Sequence, residues 1–512
     1  MPKFRVLFPA TDESAATKDP RVASLLAQTE QDFAVTLTGV APGGAAMVSA
    51  AAALGEGRVS VAPAGHDTLA RLMNGLVAGG DGDFLVTLPP GVRLYPEALA
   101  RFAEAMADPK TAGAFSSYEE VKAEGSRAKI TAYPHEGCPT ERHEFGFVRV
   151  YRAAAVKAAG GFREDLAHAA EYDLDLRLTD TERNAIVALE TPLYEANATP
   201  PAEGAGAGSG QGGGVLHAPG KGKLGGFSYV FYPADLEAEV TGVFEQSLKR
   251  RGSWIDHPAV PVAYPAKPYP VLATVIIPVF NRVSFIGNAI ERVLDGTFQD
   301  FEVVVIDNGS NDGTQAAVLE LVKRDRRVRL LAQQGPSISY ALNCGIRAAR
   351  GKYICQLDSD DEYTPDTLEK MVGHMESHPN CGLAISYYTL MDENRAEVPG
   401  IDPITHSGYS RNQILRRDGG GALRVFPKAV LEEMGLYDEE NFGNFGEDYD
   451  MVLKTGEKYD VDRVHKVLYR YRRHSDNTDV TRDPMMKVRN KNEARWNALH
   501  RRAALNKARS VA

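Results

Sequence analysis

Cysteine is scarce in this sequence, and a net positive charge and long apolar runs are lacking; each of these excludes a class of protein. The four cysteines among 512 residues form no CxxC pair, which indicates buried thiols in a reducing compartment. No apolar run approaches the roughly 18 residues of a transmembrane helix, and no signal peptide opens the chain. We therefore expect a cytoplasmic protein that touches the inner face of a membrane at most. A net charge of −10 argues against a general nucleic-acid binder.

What is present is the composition of an ordinary soluble globular protein, with 43% hydrophobic and 25% charged residues. A chain of this length predicts more than one domain. Apolar strands alternate with helical segments in both halves, which indicates an α/β fold with mostly parallel sheets flanked by helices. The predicted strands cover residues 4–9, 32–38, 83–88, 271–281, 300–310 and 353–357.

Between the halves, residues 200–226 are rich in Gly, Ala and Pro and predict a flexible linker. A phosphate-cradling glycine loop is the functional alternative, but no strand leads directly into the segment and no GK[ST] ending appears. Apolar residues at helical spacing from Leu236 to Leu248 predict an amphipathic helix. The expected divisions are a first α/β domain over 1–199, the linker, a connecting helix and proline-rich segment over 227–270, a second α/β domain over 271–480 and a basic helix over 481–512.

The two halves of the chain repeat each other at a nearly constant offset. "QDFAVTL" from Gln31 matches "QDFEVVVID" from Gln299. "VRVYRAAAVKAAGGF" from Val148 matches "LRVFPKAVLEEMGLY" from Leu423. Single residues match as well: Pro9 with Pro278, and Asn74 with Asn343. The pattern predicts that one fold occurs twice.

Most polar positions of the second copy are missing from the first. Asp358, Asp360 and Asp361 fall opposite Pro89, Gly91 and Val92, Asp307 opposite Gly39, Glu447 and Asp448 opposite Ala170 and Glu171, and His474 opposite Thr199. The apolar framework is kept while the chemistry is removed, so these polar residues are not needed for the fold. We expect the first copy to be degenerate and non-catalytic, and to serve structure or acceptor recognition.

The densest cluster of acidic residues follows the predicted strand at 353–357, where Asp358-Ser359-Asp360-Asp361 comes directly after an apolar run. In an open α/β sheet, ligands bind beyond the carboxyl ends of the strands. A cation is what brings several carboxylates together at low cost, and hard oxygen ligands suit Mg²⁺ or Mn²⁺. The structural alternative is a solvated acidic turn in which Asp361 caps the next helix, and the first copy weighs against it.

Residues 271–480 resemble the family 2 glycosyltransferases, which have the GT-A fold. The resemblance rests on "VIIPVFNR", "VVVIDNGSNDGT", "ALNCGIRAARGKYICQLDSDDEYTPDTLEKM", "FGEDYDMVLK" and "LYRYRRHSDN", which occur in the expected order. The sequence departs from the family pattern at Leu342, where many members carry Arg, and at Asn308, where a second Asp is common. The resemblance implies two tandem GT-A domains, which are Rossmann-like nucleotide-diphospho-sugar transferase folds, the first of them degenerate.

The resemblance also implies roles for individual residues. The implied ligands of a Mn²⁺ or Mg²⁺ ion are Asp360, Asp358, Asp361 and His474. The implied nucleotide-binding residues are Pro278, Val279, Phe280, Asn281, Asp307, Asn308, Asn343, Asp358 and Ser359. Asp448 is the implied general base for an acceptor hydroxyl, with Glu447 nearby. Structural alternatives stay open: strand termination by Pro278, helix capping by Asp307, stabilisation of a helix N-terminus by Glu447 and Asp448, and a solvated basic turn around His474.

The sequence thus predicts a metal-dependent, inverting glycosyltransferase in surface polysaccharide or glycoconjugate synthesis. It would move a sugar from a nucleotide-sugar donor, favoured as a UDP-sugar, to a hydroxyl of a glycan, a lipid-linked acceptor or a protein. The rival hypotheses are a non-catalytic nucleotide-sugar or glycan-binding scaffold and a sugar nucleotidyltransferase, although "PVFNRVSF" is not the glycine-rich loop expected of the latter. We expect the basic helix over 481–512 to pack on a domain, with contact to an anionic membrane as the alternative.

Overall fold

The computed structural model describes residues 4–9, 19–39, 45–62, 68–78, 83–140, 145–197, 214–217, 229–231, 234–405, 409–417, 420–477 and 481–511. The chain divides into two compact units, Met1–Arg251 and Gly252–Ala512. Each unit has its own apolar core. Within the described ranges, no helix is both long and apolar enough to cross a bilayer.

The first unit contains short strands whose apolar side chains are buried, as in "FRVLFP", where Phe4, Val6, Leu7 and Phe8 are all inaccessible. Its described strands are β1 (Phe4–Pro9), β2 (Phe33–Thr38), β3 (Val59–Val61), β4 (Phe84–Thr87), β5 (Val92–Leu94), β6 (Gly113–Ser116), β7 (Tyr118–Val121), β8 (Arg127–Ile130), β9 (Arg149–Arg152), β10 (Ile186–Leu189), β11 (Tyr194–Asn197), β12 (Gly214–His217) and β13 (Tyr229–Phe231). Its described helices are α1 (Pro20–Leu26), α2 (Ala45–Leu54), α3 (Leu69–Ala78), α4 (Ala98–Ala105), α5 (Ala153–Ala158), α6 (Ala170–Leu178) and α7 (Ala234–Arg250).

The second unit has longer strands, because its central segments are continuous runs of Val and Ile that are buried on both faces. Its described strands are β14 (Val271–Val279), β15 (Phe301–Asp307), β16 (Val328–Ala332), β17 (Gly351–Gln356), β18 (Glu362–Tyr363), β19 (Cys381–Met391), β20 (Arg424–Pro427) and β21 (Asp460–Arg472). Its described helices are α8 (Val283–Leu294), α9 (Thr314–Arg324), α10 (Ile338–Ala348), α11 (Thr367–Ser377), α12 (Lys428–Glu433), α13 (Glu447–Gly456) and α14 (Pro484–Val511).

The large sheets of the two units have the same strand order and the same strand directions. The order is β3-β2-β1-β4-β9-β6-β10 in the first unit and β16-β15-β14-β17-β20-β19-β21 in the second, where β18 adds one edge strand. In both sheets the strand on the fifth position runs antiparallel to its two neighbours, and the other pairs of the shared order are parallel. The predicted α/β class with mostly parallel sheets is therefore confirmed.

Strand register agrees between the two sheets as well. Phe4 on β1 pairs with Phe33 and Phe84 on its two neighbours. Ala273 on β14 pairs with Phe301 and Tyr353 in the same way. Counting along the strands from these pairs places Pro9 opposite Pro278, Gly39 opposite Asp307 and Gly91 opposite Asp360, as the sequence comparison has them. Shared order and register agree with one fold used twice.

The segment between the halves departs from the sequence prediction. Within the predicted linker, Gly214–His217 forms β12 and pairs antiparallel with β13. The remaining residues of the predicted linker lie outside the described ones. The predicted connecting helix is α7, and its Val240 and Val243 are buried in the core of the first unit. It is therefore part of that unit.

The basic helix α14 packs on the second unit, as the default prediction had it. Ala494, Ala498 and Leu499 are buried on one of its faces. Two of its arginines are buried too, because their guanidinium groups satisfy backbone carbonyls: Arg495 donates to Leu415 at 3.0 Å and Arg502 donates to Arg411 at 2.7 Å.

All four cysteines are free thiols, and Cys138, Cys355 and Cys381 are buried as expected.

Candidate active site

Three parallel strands, β15, β14 and β17, lie side by side in the second sheet and end at one edge. Asp307 is the last residue of β15, Phe280 follows β14 directly, and Asp358 lies two residues beyond the end of β17. Motifs far apart in the sequence therefore meet at this edge. It is also the edge at which open α/β sheets bind their ligands.

Asp358 and Asp360 are the accessible carboxylates of the acidic cluster. Asp358 is exposed, yet the protein packed around its carboxylate, and then the charge of Asp360, raise its pKa to about 6. Oδ2 of Asp360 accepts a hydrogen bond from Nε2 of His474 at 2.9 Å and lies 3.5 Å from Nε of Arg282. Burial opposes ionisation of Asp360, but His474 and then Arg282 hold its pKa below the ordinary value. His474 and Arg282 therefore neutralise only part of the negative charge of Asp358 and Asp360.

Asp361 has a different position from its two neighbours. It is buried, and its two oxygens accept hydrogen bonds from the Tyr469 hydroxyl and from the backbone N–H of Arg472, both at 2.7 Å. Burial raises the pKa of Asp361 well above its ordinary value. These bonds tie the segment after β17 to β21, which makes Asp361 a scaffold residue. The alternative that Asp361 caps the next helix is wrong, because α11 begins only after Asp366.

His474 lies beside the acidic pair, in the turn after β21. Its side chain is only 4% exposed, so the alternative of a solvated turn is wrong for this residue. Nδ1 accepts a hydrogen bond from the backbone N–H of Asp476 at 3.2 Å, and Nε2 therefore carries the proton that it donates to Asp360. The imidazole also stacks on Phe285, with ring centroids 5.2 Å apart. Contacts with Asp360, Asp476 and Phe285 thus fix the orientation of the His474 ring.

The end of β14 presents an aromatic ring to solvent. Phe280 is 57% exposed, whereas Val279 before it is buried and Pro278 is half-buried. Asn281 adopts a left-handed backbone conformation with φ of 52°, which Asn tolerates better than most residues. Its backbone N–H donates to Ser310 Oγ at 2.8 Å, which fixes the turn. An exposed ring held at a strand end is a suitable platform for a planar base.

Two predicted nucleotide ligands hold the loop after β15. The carboxylate of Asp307 accepts hydrogen bonds from Ser310 N–H at 3.3 Å and from Gln315 Nε2 at 2.6 Å. Oδ1 of Asn308 accepts from Gly335 N–H at 2.7 Å. The contacts of Asp307 secure the turn before α9 but do not cap that helix, since the backbone N–H of Thr314 donates to Asp312 at 3.0 Å. A ligand role for Asp307, for Asn308 and for the buried Ser359 stays a prediction.

Asn343 is part of the scaffold. It is buried, and its amide makes a reciprocal pair of bonds with the backbone of Tyr437, at 2.8 Å and 2.9 Å. Asn74 makes the same pair with the backbone of Phe162 in the first unit, at 2.9 Å and 2.8 Å. Since the first unit keeps this arrangement, its purpose is to hold the loop after a short helix. The prediction that Asn343 binds nucleotide is not supported by these contacts.

The candidate base lies at the start of α13, which follows Gly446 with φ of 90°, a conformation that favours glycine. Asp448 accepts a hydrogen bond from Arg424 and a second one from the backbone N–H of Tyr449 at 2.7 Å. Oε2 of Glu447 is buried and has no hydrogen-bond partner among the described residues. Burial, and then the neighbouring Asp448, raise the pKa of Glu447 to about 8. One carboxyl of this pair is therefore ion-paired and the other is neutral near pH 7.

Comparison with known proteins gives one family. The glycosyltransferase family 2 model ("Glycosyl transferase family 2") matches residues 274–435. Residues 274–435 form a family 2 glycosyltransferase domain. This family 2 domain runs from β14 to α12 and includes the acidic cluster, whereas Glu447, Asp448 and His474 lie beyond the matched range.

Curated relatives agree with the family 2 domain. An uncharacterized glycosyltransferase of Rickettsia prowazekii is 27% identical over 221 residues, which is 42% of this chain and 67% of the relative. The chondroitin synthase of Escherichia coli is 30% identical over 209 residues, which is 41% of this chain and 30% of that protein. The hyaluronan synthase of Pasteurella multocida is 29% identical over 211 residues, 41% of this chain and 21% of that protein. The chain thus spans less than a third of the two synthases.

Solved structures give weaker likenesses. S. aureus TarS 1-349 in complex with UDP-GlcNAc is 17% identical with a TM-score of 0.34, covering 41% of this chain and 61% of that one. A mannosyltransferase of Pyrobaculum calidifontis in complex with GDP-Man and Mn²⁺ is 19% identical with a TM-score of 0.33, covering 52% of this chain and 82% of that one. Both TM-scores are below 0.5, so neither likeness supports a conclusion about the ligands of the family 2 domain.

Sequence reasoning missed the basic partners of the acidic residues. Arg282, between β14 and α8, faces Asp360, and Arg424 on β20 is paired with Asp448 while its charge also reaches Asp358. The repeat held a signal for Arg424, because Arg149 occupies the matching position and pairs with Asp175 at 2.8 Å. Arg282 had no such signal, since its approach to Asp360 depends on how the strand ends are arranged in space.

Proposed function

We propose that this chain is a metal-dependent, inverting glycosyltransferase that moves a sugar from a nucleotide-sugar donor, favoured as a UDP-sugar, to a hydroxyl of an acceptor glycan. The observation that carries the proposal is the accessible Asp358–Asp360 pair at the strand edge of a family 2 domain. A glycan acceptor in polysaccharide or glycoconjugate synthesis is supported by relatives named chondroitin synthase and hyaluronan synthase.

The residues present fit a divalent cation. Within the described residues, the carboxylate of Asp358 accepts no hydrogen bond. Its pKa is raised because the protein packed around it and the charge of Asp360 destabilise the ionised form, and a bound cation would stabilise that form. Asp360 and Asp358 would hold Mn²⁺ or Mg²⁺, with His474 adjoining Asp360. A cation bound there supplies Lewis-acid stabilisation of the negative charge on a departing nucleoside diphosphate.

The other side chains bind, orient and move protons. Phe280 offers its exposed ring to the base of the nucleotide. Arg282, whose Nε lies 3.5 Å from Oδ2 of Asp360, would pair with an oxygen of the diphosphate. Asp448 accepts the proton of the acceptor hydroxyl, and its hydrogen bond with Arg424 orients the carboxylate. Inversion follows when that hydroxyl attacks the sugar from the side opposite to the leaving group.

The first unit, in this proposal, has no donor site. Pro89, Gly91 and Val92 offer no side-chain oxygen at the positions of the acidic cluster, and Gly39 offers none at the position of Asp307. Its matching core and sheet suit it to a structural role or to acceptor recognition. Contact of the chain with the inner face of a membrane remains a separate proposal, and two arginines of α14 that would serve it are buried.

Calorimetry of UDP binding in the presence of Mn²⁺, followed by a screen of UDP-sugars for transfer to oligosaccharides, tests the proposal. Wild-type chain is expected to bind UDP only with the metal, Asp360→Asn is expected to lose that binding, and the exposed Glu97→Gln in the first unit is the matched control. Metal-independent UDP binding in both variants would overturn the metal assignment. Binding without any transfer would favour the scaffold hypothesis, and release of pyrophosphate from a nucleoside triphosphate would favour a nucleotidyltransferase.

A further inference from the structure

A second group of metal-ligating side chains lies at the other end of the second sheet. His374 and His378 are four residues apart at the end of α11, and Asp462 lies near the start of β21. One donor atom of each of the three residues lies within 4.8 Å of the others. Ten residues of β21 separate Asp462 from Arg472, which is roughly 30 Å of strand. The group is therefore remote from the acidic cluster after β17.

The hydrogen bonds of this group leave nitrogen lone pairs available. Nδ1 of His378 lies 2.8 Å from the carbonyl oxygen of His374, and since a carbonyl only accepts, Nδ1 carries the proton. Nε2 of His378 is then unprotonated in the neutral ring, as a metal ligand must be. Nε2 of His374 lies 3.1 Å from Oδ2 of Asp462. A proton bridges these two atoms here, and a cation can take its place.

Donor spacing and accessibility also suit a cation. Two ligands of a tetrahedral zinc ion lie about 3.3 Å apart when the bonds are about 2.0 Å long, close to the separation of His374 and Asp462. The two imidazole rings stack with centroids 3.9 Å apart, so the two histidines lie together at the end of α11. The side chains of His374 and Asp462 are partly exposed, which allows an ion to enter.

The fold does not need these three residues. Strand register matches Asp462 with Val187 in the first unit, and the offset of α4 and α11 matches His374 with Ala105 and His378 with Pro109. The same helix and strand therefore form where no metal ligand is present. Two histidines and a carboxylate at one point of the second unit need another explanation than packing.

We propose that His374, His378 and Asp462 form a binding site for a divalent transition-metal ion, with zinc as the best match to two imidazoles and one carboxylate. Three protein ligands leave the fourth position to water. The ion links the end of α11 to β21 and so stiffens the second unit at the end opposite to the candidate active site.

The test is a calorimetric titration of ZnCl₂ into the full chain carrying Asp360→Asn, so that the acidic cluster does not compete. We expect one zinc ion per chain. We expect His374→Gln, His378→Gln and Asp462→Asn each to weaken binding by at least about tenfold, because even the loss of a residue that only supports a metal ligand costs about that much. His465→Gln, a substitution of an exposed histidine on β21, is the matched control and leaves binding unchanged.

Visible absorption of the cobalt(II)-loaded chain provides a second measurement, because a four-coordinate site with nitrogen ligands gives intense bands that surface-bound cobalt lacks. Thermal unfolding without added metal checks that every variant is folded. Zinc should raise the unfolding temperature of the parent and of His465→Gln, and not that of the three ligand variants. Equal zinc affinity in the parent and in His378→Gln would mean an adventitious ion only and would overturn the proposal. Neither readout depends on sugar transfer, so failure here leaves the proposed activity untouched.

Discussion

The segment after β4 in the first unit and the segment after β17 in the second differ in chemistry but not in architecture. Pro89 and Gly91 follow the first strand, whereas Asp358 and Asp360 follow the second. The sheets around them agree in order, direction and register. Removing the carboxylates has thus left the fold intact. The comparison teaches that the fold does not depend on these acids, which agrees with the proposed role in binding a metal.

A second contrast concerns an ion pair between an edge strand and the strand next to it. In the first unit, Arg93 on β5 pairs with Glu195 on β11. At the matching positions of the second unit the charges are exchanged, and Glu362 on β18 pairs with Arg470 on β21 at 3.1 Å. Glu362 is fully buried and also bonds Arg472 at 3.0 Å, whereas Arg93 is half exposed. The position requires opposite charges, and either arrangement satisfies it.

The strongest test of the comparison is a matched pair of substitutions at the start of α13 and α6. We expect Asp448→Asn to lower kcat by about 10²–10⁴-fold with little change in UDP affinity, because the lost group acts on the acceptor. Glu171→Gln, at the matching position of the first unit, should leave kcat unchanged. Steady-state kinetics and UDP calorimetry on the two variants measure both effects. Near wild-type turnover of Asp448→Asn would transfer the role of base to Glu447.

The exchanged ion pair predicts unequal losses of stability. Glu362→Gln leaves buried Arg472 without its anionic partner and should lower the free energy of unfolding by about 3–5 kcal/mol. Glu195→Gln disturbs half-exposed arginines and should cost about 1 kcal/mol or less. Denaturant unfolding, with a probe in each unit, compares the two. Equal losses would show that burial of the pair matters less than its position between an edge strand and its neighbour.

Asn343→Ala and Asn74→Ala test whether the matching amides have a matching purpose. Each substitution leaves buried backbone groups of one loop unpaired, and each should lower stability by about 1–3 kcal/mol. UDP affinity should not change beyond the effect of unfolding. If Asn343→Ala kept full stability but bound UDP weakly, the original prediction of a nucleotide ligand would be right and the scaffold assignment wrong.

The smallest expected effect concerns pH. Glu447 has a folded-state pKa of about 8, well above its value in an unfolded chain, so the folded state keeps a proton that the unfolded state releases. The protonated Glu447 side chain therefore favours the folded state at acidic pH, and this contribution to stability is lost as pH rises toward 8. Glu447→Gln should therefore stabilise the chain by about 1–2 kcal/mol at pH 8 and by less at pH 5. Calorimetric melting temperatures of the parent and of Glu447→Gln at the two pH values check the sign of this effect. The matching position of the first unit is Ala170, which does not titrate, so no such pH dependence is expected there.

The strands and the location of the candidate site were predictable because they depend on local patterns. Apolar runs predicted β14, β15 and β17 within a few residues, and the acidic cluster lies at the end of its strand as expected. The distinction between Asp358 and Asp361 was not predictable. It depends on Tyr469 and Arg472, more than a hundred residues later, whose bonds remove Asp361 from the accessible edge.

Asn343 shows a different limit of the sequence. Its match with Asn74 was visible there, and a polar residue kept by a copy that lost most of its other polar positions is expected to serve the scaffold. The family resemblance outweighed that internal signal. Arg282 and His474, in contrast, are recognised as partners of Asp360 only from the distances between their side chains.

The packing of α14 on the second unit has a consequence for how the protein is made. The turn before α13 is held by α14, since Asn490 donates a hydrogen bond to the carbonyl of Phe445 at 2.7 Å, and Arg501 lies 3.3 Å from Asp450 on α13. The helix that carries Glu447 and Asp448 thus takes its final position only when residues beyond 484 are available. During synthesis on the ribosome, β21 and the turn after it, which hold Asp361 and Asp360, emerge before α14, which holds the start of α13. The acidic cluster is therefore held in place before the candidate base.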